Sequence, residues 1–206
     1  AEISLRQAIA LKPDYAEAHY NLGVMLQELG RLEEAEVSLR QAITLKPDLV
    51  GAHSNLGIIL KEQGRLKEAE VSLRQAITLK PDYAEAHNNL GVMLQEQDRL
   101  KDAEVSYRQA ITLKPDYAEA HYNLSKTLNE LERLDEAEAS YRQAITLKPD
   151  FTEAHNNLGN TLKELGRLKD AEVSYRQAIT LKPDYAEAYY NLSKTLNELE
   201  RLDEAE

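Results

Sequence analysis

Cysteine is absent from all 206 residues, so neither a disulfide framework nor a thiolate metal site can be built. That suits a reducing compartment, and a cytoplasmic location is the expectation. No apolar run approaches membrane-spanning length, and the first residues lack the pattern of a secretory leader. Positive charge is in deficit: 25 lysines and arginines against 36 aspartates and glutamates leave a net charge of −11. Such a surface repels phosphate backbones and anionic lipid, so neither nucleic acid nor a membrane is an expected partner. Proline is scarce, and its placement is informative. The six prolines are Pro13, Pro47, Pro81, Pro115, Pro149 and Pro183, always 34 residues apart.

A fixed period of that length with a constant apolar pattern means stacked helix pairs. We number each repeat so that its proline is position 32. Residues 1–15 are then the second half of a repeat. Five full repeats follow at 16–49, 50–83, 84–117, 118–151 and 152–185, and residues 186–206 begin a sixth. One solenoid over 1–206 is expected. Asp14, Asp48, Asp82, Asp116, Asp150 and Asp184 follow the prolines and are expected N-caps. A glutamate three residues on, as in Asp14 and Glu17, would complete an acidic capping box; Gly51 breaks that pattern. Helix A should run about 14 residues and end at Gly30, Gly64 and Gly166, with Asp98, Glu132 and Glu200 less comfortable at the equivalent turns. At 100° per residue, His19, Leu22, Leu26 and Leu29 form the packing stripe of the first helix A. Glu17, Tyr20, Asn21, Val24, Gln27 and Glu28 fall opposite. Helix B packs through Leu32, Ala35, Leu39, Ala42 and Ile43.

His-x-x-Leu-Gly-x-x-Leu, followed by alanine, then leucine or tyrosine, then proline, resembles the tetratricopeptide repeat. The resemblance covers essentially the whole chain. It departs at His19, His53, His87, His121 and His155, where tryptophan is common, and at Tyr189. It implies an all-α, right-handed superhelical solenoid of helix-turn-helix repeats, with helix A on the concave side. Repeats 84–117 and 152–185 agree at 28 of 34 positions, a sign of recent duplication or of assembly by hand.

No catalytic chemistry is legible, and no enzyme activity, cofactor or metal is expected. The histidines stand alone on a packing stripe with no second ligand at helical spacing. The glutamates at position 13, from Glu28 to Glu198, read as a solvated face; Lys126–Glu130 and Lys194–Glu198 are expected i,i+4 pairs. Asn123-Leu124-Ser125 and Asn191-Leu192-Ser193 match the glycosylation pattern but lie inside helix A, and are read as accidental.

The informative constellation is position 6, which is asparagine in all six repeats: Asn21, Asn55, Asn89, Asn123, Asn157 and Asn191. Asparagine is a mediocre helix former, and on an unpacked face its amide can pair with one backbone unit of any peptide. The ladder resembles that in the superhelical repeats of O-linked N-acetylglucosamine transferases, where it implies a hold on the backbone of a bound polypeptide. The expected role is a protein-interaction module receiving an extended segment. Tyr20, Val24, Ile58 and Val92 would make the N-terminal groove apolar, with Tyr122 and Tyr190 lining the polar C-terminal half. The lysine and arginine clamp of chaperone-tail-binding repeats is absent. Two other readings are substrate-selecting repeats of a larger glycosyltransferase and a designed or self-stacking scaffold. Ala1 sits at position 20 of a repeat and Glu206 at position 21, so weak head-to-tail stacking of residues 186–206 on residues 1–12 is a further expectation.

Overall fold

The structure is a computed structural model and describes residues 1–199. Among these there are twelve α-helices and no strand. The B helices are α1 (Glu2–Leu11), α3 (Leu32–Leu45), α5 (Leu66–Leu79), α7 (Leu100–Leu113), α9 (Leu134–Leu147) and α11 (Leu168–Leu181). The A helices are α2 (Ala16–Glu28), α4 (Val50–Glu62), α6 (Ala84–Glu96), α8 (Ala118–Glu130), α10 (Thr152–Glu164) and α12 (Ala186–Glu198). The chain forms two compact units, Ala1–Arg99 and a second beginning at Leu100.

Helix A starts one residue later than the aspartates imply. The N-caps are Tyr15, Leu49, Tyr83, Tyr117, Phe151 and Tyr185, and none makes a side-chain capping bond. The aspartates stand outside the helix, so the expected capping box does not form. Glu17 instead holds Lys46 at 3.0 Å. The cause is the turn after the proline: Tyr15 N–H donates to the Lys12 carbonyl, and the lysine then covers the ring. Lys12, Lys80, Lys114, Lys148 and Lys182 lie 4.7–5.4 Å from the centroids of Tyr15, Tyr83, Tyr117, Phe151 and Tyr185, within cation–π range. From the other side, His19, His53, His87, His121 and His155 each direct Nε2 to the preceding proline's carbonyl at 2.8–3.1 Å. These histidines therefore latch the loop to helix A.

Helix A ends as expected. Gly30, Gly64 and Gly166 have φ of 71–75°, and Asp98 and Glu132 are forced to 58°. Arg31 N–H donates to the Leu26 carbonyl and Gly30 N–H to the Gln27 carbonyl, a Schellman pair that satisfies the last carbonyls. Glu200 lies outside the described residues. Because α2 ends at Glu28, Leu29 has left the stripe and is exposed.

Within a repeat the two helices meet at a notch. A Cβ on Gly57 would lie 2.6 Å from Leu73 Cγ, and one on Gly159 2.5 Å from Tyr175. Ala69, Leu73, Ala76, Ala171, Tyr175 and Ala178 are essentially inaccessible in the B helices facing these notches. In the first unit α2 touches α4 and α4 touches α6, whereas the backbones of α3 and α5 stay apart. The second unit repeats this, with α8 on α10 and α10 on α12. The A layer is thus the compressed inner side of each unit. The B layer is splayed, leaving clefts of about 460 Å³ between α1 and α3 and about 370 Å³ between α3 and α5.

Long side chains span the splayed layer. Glu36 holds Arg40 at 2.8 Å on its own helix and Arg65 at 2.7 Å from the next repeat, and Arg40 reaches Glu68 at 3.2 Å. The second unit repeats the arrangement with Glu104 between Arg108 and Arg133, and Glu138 between Arg142 and Arg167. Burial alone would raise the carboxyls of Glu36, Glu104 and Glu138, but the paired arginines outweigh it and hold all three below their ordinary value.

Candidate functional site

The inner face of helix A carries positions 6, 9 and 13, and the two units furnish it differently. In the first unit Asn21 is exposed and Asn55 and Asn89 are half-buried. None of these three amides has a side-chain partner among the described residues. Beside them Val24, Ile58 and Val92 are half-buried, so they are not sealed into the core. A cleft of about 120 Å³ opens between α4 and α6, lined by Ile58, Lys61, Glu62, Asn89 and Val92 and floored by Leu73 beside Gly57. Lys61 pairs with Glu96 at 3.0 Å. Glu28 and Glu62 have no cationic partner among the described residues.

In the second unit the amides are engaged within the protein. Asn157 Nδ2 donates to the Tyr122 hydroxyl at 3.1 Å, and Asn191 Nδ2 donates to Asn156 Oδ1 at 3.2 Å. The expectation that these asparagines have no role in the protein's own packing is therefore corrected for Asn157 and Asn191: they tie one repeat to position 5 of the repeat before. Asn123 is half-buried and also has a partner.

Position 5 is the second correction. It falls opposite the packing stripe on a helical wheel, yet Ser54 is 1%, Asn88 6% and Asn156 0% exposed. The wheel considers only the A–B contact, whereas within each unit helix A has a second packed flank against the next helix A, as in α4 on α6 and α10 on α12. Tyr20 and Tyr122 lie on this flank, half-buried; Tyr122 stacks on Phe151 with centroids 4.6 Å apart. Burial pushes the Tyr122 phenol up. Tyr190 is 60% exposed. Its phenol is pulled down by Lys194, whose ammonium lies 4.4 Å from the ring centroid. Lys126 likewise lies over Tyr122, and Glu198 takes Lys163 at 2.7 Å rather than Lys194.

Position 9 becomes polar in the second unit, with Lys126, Asn160 and Lys194. Asn160 accepts a 2.8 Å bond from the buried Tyr175 hydroxyl, while Asn129 and Thr161 bond each other across α8 and α10. Among the described residues no cluster of three or more histidine, aspartate or glutamate side chains could hold a metal ion, and no helix is long and apolar enough to cross a membrane. Of the two surfaces in the stacking expectation, residues 200–206 lie outside the described residues.

Family models described as tetratricopeptide or TPR repeats match residues 16–49, 57–98, 84–117, 106–139, 126–166 and 159–199. The chain belongs to the tetratricopeptide repeat family, and its fold is that of an interaction module. None of the curated proteins matches it. Among solved structures it is similar to YrrB, described as a TPR protein with an unusual peptide-binding site. Identity is 22%, the TM-score 0.72, and coverage 92% of this chain and 98% of that one. It is also similar to pilF of Pseudomonas aeruginosa, with 22% identity, a TM-score of 0.84 and coverage of 92% and 86%. A third is MamA of Desulfovibrio magneticus, with 20% identity, a TM-score of 0.73 and coverage of 83% and 97%. These likenesses establish the fold.

Proposed function

We propose that this chain binds an extended polypeptide segment along the inner face of its A helices, and that the first unit supplies the principal contacts. The observation that carries this reading is the set of three uncommitted amides, Asn21, Asn55 and Asn89, presented at the same position of successive repeats. Helices packed side by side lie about 8–10 Å apart, and an extended chain rises about 3.3 Å per residue. Each amide therefore meets roughly every third peptide unit, offering a donor and an acceptor whatever the ligand's side chains. The peptide-binding site named for YrrB is in keeping with this reading. The acidic surface argues against nucleic acid as the ligand.

The test is fluorescence anisotropy with a library of labelled decapeptides and with a reduced, carboxymethylated unfolded protein. Sequence-tolerant binding is expected. Each Asn→Ala change should cost about 1 kcal/mol, so Asn21→Ala/Asn55→Ala/Asn89→Ala together should weaken binding about a hundredfold. Asn157→Ala and Asn191→Ala should mainly loosen the fold. Unchanged affinity in the triple variant would remove the ladder from the function.

A further inference from the structure

We infer that the cleft between α4 and α6 is a side-chain-reading subsite that takes one short branched aliphatic residue of the ligand, flanked by lysine or arginine. The inference rests on the groove reading above and adds selectivity to it.

The size of the cleft sets the first term. About 120 Å³ is less than the roughly 150 Å³ that accommodates a benzene ring, so valine or isoleucine fits and an aromatic side chain does not. Its walls are Ile58 and Val92, and its floor is Leu73, reached because Gly57 carries no side chain. An aliphatic group placed there exchanges water for three aliphatic neighbours. Asn89, at the rim, is the uncommitted amide that would hold the ligand backbone as the side chain descends.

Charge sets the second term. Glu62 lines the same cleft, and Glu28 occupies its position one repeat earlier; both carboxylates are exposed and neither has a cation partner among the described residues. The cation nearest in sequence, Lys61, is committed to Glu96. A ligand that brings a cation to either side of its aliphatic residue supplies the missing counter-charge, and an acidic segment is repelled. In the second unit position 9 is lysine or asparagine, so the apolar wall of this subsite has no counterpart there.

The test compares fluorescein-labelled decapeptides of a serine-rich frame that differ at their centre: Lys-Val-Lys, Lys-Ser-Lys, Ser-Val-Ser and Lys-Trp-Lys. The wild-type chain should prefer Lys-Val-Lys over Lys-Ser-Lys by about tenfold. Lys-Trp-Lys should gain nothing over Lys-Ser-Lys. Val92→Lys installs the residue that the same repeat position holds at Lys126 and Lys194, so helix A tolerates it; it should abolish the valine preference. Glu62→Gln should reduce the advantage of Lys-Val-Lys over Ser-Val-Ser and flatten its salt dependence. Circular dichroism confirms that each variant is folded. If Asn21→Ala/Asn55→Ala/Asn89→Ala weakens every peptide while Val92→Lys leaves the valine preference intact, the subsite is wrong and the groove stands. If the triple asparagine variant changes nothing, the groove reading itself fails. A wild-type chain that does not distinguish valine from serine also overturns the subsite.

Discussion

Asp98 and Glu132 sit in the left-handed region with φ of 58°, at turns where Gly30, Gly64 and Gly166 do the same work without a side chain. A non-glycine residue there costs roughly 1–2 kcal/mol. Asp98→Gly and Glu132→Gly should each raise stability by about 1 kcal/mol, read as a shift in the urea midpoint at constant slope. The notch residue makes the opposite prediction. A Cβ on Gly159 would lie 2.5 Å from the ring of the buried Tyr175. Gly159→Ala should therefore destabilise by about 1–3 kcal/mol, read as a shift in the urea midpoint. The glycine turns were legible in the sequence because each is a local rule stated by one residue type. The aspartate caps were misread for the same reason: a local rule favours aspartate before a helix, but the lysine over the Tyr15 ring and the histidine bonded to the proline carbonyl decide where the helix begins.

At the scale of the element, titration tests the latches and the ion pairs. Burial lowers the affinity of His121 for a proton, against a smaller opposing effect of its bond to the Pro115 carbonyl. A lowered folded value means that the unfolded chain binds more protons near it. Stability from this latch is complete above the unfolded histidine value of about 6.5 and is lost as the pH falls through that value and the folded one. His121→Tyr, which copies Tyr189, should remove this part of the acid dependence in denaturant midpoints measured from pH 8 to 5. The paired glutamates act lower on the scale. Glu36, Glu104 and Glu138 have folded values below the ordinary one, so their contribution is present above about 4.3 and is lost as the pH falls further. A second loss of stability is expected there, diminished by Glu138→Gln. The repeat, its helix pairs and the buried A–B stripe were readable from spacing alone. The arginine–glutamate ladder, the burial of position 5 and the capture of Asn157 and Asn191 were not. Their partners lie 28–35 residues away in sequence and meet only once the repeats are stacked.

For the whole molecule, the repeat makes stability a sum of neighbour terms rather than the property of one core. The asparagine ladder, constant in sequence, divides in its contacts because its surroundings differ: three amides are uncommitted in the first unit, and Asn157 and Asn191 are spent on repeat-to-repeat bonds in the second. The sequence carried that division only in positions 5 and 9, whose changes decide which neighbour an amide meets. The family models cover nearly the same span as the repeats read from the prolines, since both register the same period.

The A helices of each unit touch along the inner layer, while the outer B helices are bridged by side chains across open clefts. Such an arrangement has the mechanics of a leaf spring. The inner leaf resists sliding, and the outer leaf lengthens or shortens by rotating a few arginines. Curvature within a unit therefore changes at the outer clefts, while the step between successive asparagines, carried on the inner leaf, stays nearly constant.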